Sequence, residues 1–158
     1  MEKHLTLQDY RSLAEVRYQI RRFLYFSEQA SRSAGLEPRQ YQLMLALKGL
    51  PHDVRPRIGE LAERLQIQHH SAVELVNRLQ SGGLIRRQRG GVDRREVLLS
   101  LTPKGENMLR ELALHHRAEL RNSAPALLRA LKALVRKSAR SETGSGTATP
   151  INPKRRTA

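Results

Sequence analysis

The sequence contains no cysteine and no tryptophan. Without cysteine there is no disulfide framework, no thiolate zinc site, no cysteine nucleophile and no thiol redox switch. Such a chain suits a reducing compartment, and a cytoplasmic location is expected. Aromatic residues make up 4%, too few for the stacking platforms that hold single-stranded nucleic acid. No apolar run approaches the roughly 20 residues that cross a bilayer. The N-terminus lacks the apolar core of a signal peptide, so no membrane partner is expected. Acidic residues are scarce as well: 15 stand against 29 Lys and Arg, a formal net charge of +14 on 158 residues. An excess of that size favours a polyanionic partner, with nucleic acid first among candidates. The short basic tail of Lys154, Arg155 and Arg156 explains little of it.

What is present is mostly helical patterning. Leu13, Val16, Ile20, Phe23, Phe26 and Ala30 recur at three- or four-residue steps and predict a helix from about Thr6 to Ala34, ended by Gly35. Isolated helices are marginal in water, so this stripe needs a partner. Pro38 opens a second helix, apolar on most sides through Tyr41, Leu43, Met44, Leu45 and Leu47. Two short helices follow. One carries Ile58, Leu61, Ala62 and Leu65, the other Ala72, Leu75, Val76 and Leu79. The tight turn between them, around Gln66 to His69, makes a helix-turn-helix. Thr102 and Pro103 cap and open a further helix, and Ser123 to Pro125 is a second cap-like start. From Ser141 the chain is Ser, Thr, Gly and Pro without apolar pattern and reads as disordered.

After Gly82 and Gly83 the period changes from helix to strand. Leu84 to Arg89, a glycine pair at Gly90 and Gly91, and Arg95 to Leu101 read as a β-hairpin with an arginine-rich tip. The expected fold is therefore mainly α with a small β-hairpin wing: a winged helix-turn-helix flanked by N- and C-terminal helices. The expected divisions are an N-terminal dimerisation helix (1–36) and a winged helix-turn-helix DNA-binding domain (37–102). C-terminal dimerisation helices (103–140) and a disordered basic tail (141–158) follow.

Two surfaces carry candidate chemistry. With its apolar stripe buried, the second short helix turns out His69, His70, Ser71, Val73, Glu74, Asn77 and Arg78. A recognition helix meets base edges in the major groove with such side chains. Asn pairs with adenine, Arg with guanine, and Val touches a thymine methyl. Glu74 repels phosphate; it either accepts from a cytosine amino group or pairs with Arg78 one turn on. The bland alternative is a solvated polar face. At the wing, Arg86, Arg87, Arg89, Arg94 and Arg95 lie within ten residues. Arginine enters narrow minor grooves, where the negative potential is deepest. Gly90 and Gly91 let the backbone turn and approach phosphate, and Asp93 orients a neighbouring arginine. A hairpin decorated with arginine for solubility does not explain why a helix-turn-helix precedes it directly.

The run from Asp93 to Gly105, Asp-Arg-Arg-Glu-Val-Leu-Leu-Ser-Leu-Thr-Pro-Lys-Gly, resembles the wing signature of the MarR family of bacterial transcriptional regulators: Asp-x-Arg, a strand, then Leu-Thr-x-x-Gly. Ile58 to Ala62, Leu75 to Leu79 and Gly83 to Ile85 resemble that family's two helices and exit turn. The resemblance runs in detail from about Gln40 to Gly105. It implies a homodimer whose terminal helices interlock, each chain presenting one winged helix to half of a palindromic operator in double-stranded DNA. It implies a repressor in which Arg95 enters the minor groove with Asp93 supporting it. It also implies a small-molecule effector of the aromatic-acid type, for which Tyr10, Arg17, Tyr18, Arg21 and Tyr25 are candidate lining, although plain interface residues read the same way. Where many members carry Thr-Arg, this chain has Val73-Glu74, and His69-His70-Ser71 is also a variant, so base contacts do not carry over there.

Other classes find less support. Nucleophile elbow, phosphate-binding glycine loop and metal-ligand helix motif are all missing, so neither an enzyme nor a cofactor is expected. Glu60 and Glu63 read as a solvated face. A metal sensor needs three or four converging ligands, whereas the adjacent pairs His69-His70 and His115-His116 point about 100° apart on a helix; no metal is expected. A non-specific architectural DNA-binding protein is the main alternative.

Overall fold

The computed structural model describes residues 5–90 and 95–142. Its elements, in chain order, are α1 (Leu7–Ser33), α2 (Pro38–Lys48), α3 (Ile58–Leu65), α4 (His69–Ser81), β1 (Ile85–Arg89), β2 (Val97–Leu101) and α5 (Pro103–Glu142). The fold is mainly helical with one two-stranded antiparallel hairpin among the described residues. The chain divides into two compact units, residues 21–122 and residues 1–20 with 123–158.

Unit 21–122 is built on leucine. Leu43, Met44, Leu61, Val76, Leu79 and Ile85 are fully buried in one cluster with Leu99, Leu101, Leu109 and Leu112. Each such side chain contributes about 1.5–3 kcal/mol by leaving water. α2 starts at Glu37, which forms a capping box with Gln40, and Pro38 needs no N–H in the first turn. α3 ends on Gln66 in the left-handed conformation (φ 52°), and Ile67 N–H donates to the Ala62 carbonyl at 3.0 Å. That six-to-one closure turns the chain sharply enough for α4 to begin two residues later. Ala62 is buried on the crossing face, as its small size suggested. Gly35, at φ +80°, ends α1 with Leu36 N–H donating to the Ser31 carbonyl.

The hairpin pairs Ile85 with Leu101, Arg87 with Leu99 and Arg89 with Val97. Ile85, Leu99 and Leu101 face the core, so period two is kept where the hairpin joins the body. Leu99 N–H donates to the Pro56 carbonyl at 2.8 Å, which fastens β2 to the segment entering α3.

The Leu-Thr-x-x-Gly run has a physical reading. Thr102 Oγ1 accepts from Gly105 N–H at 3.1 Å and donates to the Gly83 carbonyl at 2.6 Å. Thr102 N–H donates to the Leu84 carbonyl at 3.0 Å. A Cβ on Gly105 would lie 2.1 Å from that carbonyl oxygen. Only glycine lets the first turn of α5 lie against the turn leaving α4.

One buried polar group joins three helices of this unit. His116 stacks on Tyr41 (centroids 4.4 Å, 12°) and meets Phe23 and Phe26 edge-on. Nδ1 lies 2.6 Å from the Leu112 carbonyl, and Nε2 lies 2.8 Å from Ser27 Oγ. A carbonyl only accepts, so Nδ1 carries the proton and Nε2 of the neutral ring accepts from Ser27.

In the other unit the pattern inverts. Ser12, Gln19 and Ala130 are buried, whereas Leu13, Ile20, Leu128, Leu131 and Val135 are exposed. α5 is one helix through Pro125, not two helices broken at Ser123. A serine before Ala-Pro satisfies the same local rules as a helix start, but Ala, Leu and Arg on both sides of Pro125 are strong helix formers and carry the helix across it. Of the disordered tail expected over 141–158, residues 141 and 142 belong to α5 and the rest lies outside the described residues.

Candidate nucleic-acid interface

α4 is held from below by Ala72, Leu75, Val76 and Leu79, all buried. This fixes its outer face. His69, His70, Glu74, Asn77 and Arg78 are exposed, while Ser71 and Val73 are half-buried at the flanks. All seven residues expected on the recognition helix therefore lie on one exposed helix or its edges.

Their polar partners were not legible in the sequence. Arg78 does not pair with Glu74. Its Nη1 donates to both carboxylate oxygens of Glu37, at 3.2 Å each, across to the cap of α2. Asn77 is bound by the wing: Arg87 Nη2 donates to Asn77 Oδ1 at 2.7 Å, and Arg87 Nη1 donates to Gln80 Oε1. Arg86 Nε donates to Ser100 Oγ at 3.0 Å across the hairpin. Arg89 is exposed towards the tip, and Gly90 N–H closes the strands on the Glu96 carbonyl at 2.8 Å. Gly91, Asp93 and Arg94 lie outside the described residues.

Arg95 is exposed and lines a cleft with Arg55, Arg57 and His69, the first residue of α4. In that cleft the Glu96 carboxylate is ion-paired to both Arg55 and Arg57, and its side chain is only 8% exposed. The two guanidiniums compensate a carboxylate that would otherwise be costly to desolvate. They also tie Glu96, just ahead of β2, to the segment entering α3. Arg55, Arg57 and Glu96 were missed because they are distant in sequence. The only signal was two arginines around Pro56, just ahead of the helix-turn-helix.

The result is an exposed helix α4 flanked by a basic wing and a basic α3 entry, the arrangement of a winged helix-turn-helix. The comparisons agree. Residues 34–96 match the sequence model of the MarR family. That match covers α2 to β1 of this chain. An HTH-type transcriptional regulator of Bacillus subtilis, YsmB, is 31% identical over 65 residues, which are 41% of this chain. The matched stretch spans 44% of that relative's length. In structure the chain is similar to AbsC, a MarR family transcriptional regulator from Streptomyces coelicolor. The TM-score is 0.66 at 24% identity, over 90% of this chain and 99% of AbsC. It is also similar to a MepR variant from S. aureus bound to an oligodeoxyribonucleotide. There the TM-score is 0.58 at 18% identity, over 89% of this chain and all (100%) of that one. At these identities the structural likenesses establish the fold.

Proposed function

We propose that this protein is a DNA-binding transcriptional regulator, a repressor that binds a palindromic operator as a homodimer. The observation that carries the reading is the exposed outer face of α4 beside the cleft formed by Arg55, Arg57, His69 and Arg95. α4 enters the major groove, and the arginines meet the backbone and the adjoining minor groove. Arg95 is the minor-groove arginine. The net charge of +14 supplies the long-range attraction.

The inverted unit supports the homodimer. Leu13, Ile20, Leu128, Leu131 and Val135 are 41–68% exposed in a single chain. Burying such a set between two copies regains about 1.5–3 kcal/mol for each side chain fully covered. Within unit 21–122, a cleft of about 560 Å³ lined by Phe26, Ala30, Met108 and Leu112 is the candidate effector site. Glu111 and His115 are on its wall, and no lysine or arginine lines it. An aromatic acid is therefore less suited to this cleft than a neutral or cationic aromatic.

The test is binding to duplex DNA at physiological salt. The regulator reading expects selection of a two-fold symmetric site, held about 10³-fold or more tighter than random duplex, by a particle of dimer mass in light scattering. Equal affinity for random duplex would convert the reading to an architectural DNA-binding protein.

A further inference from the structure

Arg87 lies on the wing, yet its guanidinium grips α4 rather than solvent. It donates to Asn77 Oδ1 at 2.7 Å and also to Gln80 Oε1. A guanidinium has donors only. Each amide must therefore turn its oxygen to Arg87, so chemistry settles which amide atom is oxygen and which is nitrogen.

This changes what Asn77 can read. A free asparagine pairs with adenine by accepting from N6 and donating to N7. An amide oxygen already bound to a cation is a poorer acceptor for a second donor, while its NH2 becomes a stronger donor through polarisation. Guanine offers two adjacent acceptors, N7 and O6; adenine offers N7 beside an N6 donor. A donor-biased amide thus favours guanine over adenine. Glu74, three residues earlier on the same exposed face, has only acceptors when ionised and suits the cytosine N4 amino group. Arg78, the other guanine-reading side chain on α4, is drawn aside to Glu37.

We infer that Arg87 is a specificity-determining positioning residue: it locks Asn77 as a hydrogen-bond donor, so that α4 prefers a G·C over an A·T pair at one position of each half-site. The inference rests on the DNA-binding reading above. It assigns to a wing residue a role in major-groove readout.

The experiment is selection of bound duplexes from a randomised oligonucleotide library, by the full chain and two variants. Wild type is expected to enrich guanine at one position per half-site. Arg87→Met keeps the aliphatic stem but frees the amide; adenine then replaces guanine at that position alone, a change in relative affinity of about tenfold. Asn77→Asp keeps the bond to Arg87 and adds charge to it, but removes the NH2 donors. A plain structural brace tolerates that change, whereas a base-reading amide loses its guanine preference about tenfold. An unchanged preference in either variant overturns the inference while leaving sequence-specific binding intact. If wild type itself enriches no sequence, the regulator reading fails and takes this inference with it.

Discussion

The two units of this chain bury opposite kinds of side chain. In residues 21–122 the interior is mostly leucine, methionine, valine and isoleucine, with Ser27, Ser31 and His116 among them. Among the described residues of 1–20 and 123–158, the buried side chains are Ser12, Gln19 and Ala130, while Leu13, Leu128 and Leu131 are exposed. The first unit gains its stability from its own contacts. The second has an apolar surface that a single chain does not cover. On the proposed homodimer reading, the first part folds independently of concentration and the second does not.

The largest expected effect is at Leu79, fully buried in the first unit. Leu79→Ala should cost about 2–5 kcal/mol, read by chemical denaturation, with a penalty independent of protein concentration. A penalty that varies with concentration would erase the distinction between the units. Next is Gly105→Ala, which places a methyl group against the Leu84 carbonyl. It should cost about 1–3 kcal/mol and weaken DNA binding more than dimerisation, measured by anisotropy and by ultracentrifugation.

Leu13→Glu with Ile20→Glu should do the reverse. Dimer affinity falls by about two powers of ten or more, while residues 21–122 keep their helical signal and protease resistance. Full unfolding of both units together would show that the first is not self-sufficient. His116→Phe keeps the stack on Tyr41 but removes the ring partner of the buried Ser27 hydroxyl. A loss of about 1–2 kcal/mol is expected.

The smallest effect concerns pH. Burial raises the pKa of Tyr41 above its usual 10.0, because the phenolate is the form that desolvation disfavours. The unfolded chain therefore releases this proton first. The neutral phenol's contribution is fully present below about pH 10 and declines as pH rises through the folded pKa. Tyr41→Phe should flatten that part of the alkaline stability profile in thermal melts; an identical profile would rule the contribution out.

Much of this architecture was legible in the residues. Helical spacing located α1 to α4, and the change to period two located the hairpin, because local burial demands impose those periods. Thr102 and Pro103 announced the start of α5 by cap chemistry. The break expected at Ser123 was wrong, since a cap-like Ser-Ala-Pro says nothing of how strongly its neighbours favour helix. The apolar stripe of α1 was also read correctly as a stripe, but periodicity does not reveal whether its own chain covers it. Leu13 and Ile20 are exposed where Phe23 and Phe26 are half-buried. At the interface, the residues expected on α4 lie where they were expected. Their partners Glu37, Arg87 and Gln80 were not legible, because pairing across elements depends on tertiary geometry that spacing does not encode.

The contact between Gly105 and the Leu84 carbonyl has a mechanical consequence. It is backbone against backbone, further fastened by the Thr102 hydroxyl. The first turn of α5 is thus joined directly to Gly83 and Leu84, just past the end of α4. The head of the long helix and the helix proposed to face DNA therefore share one backbone joint.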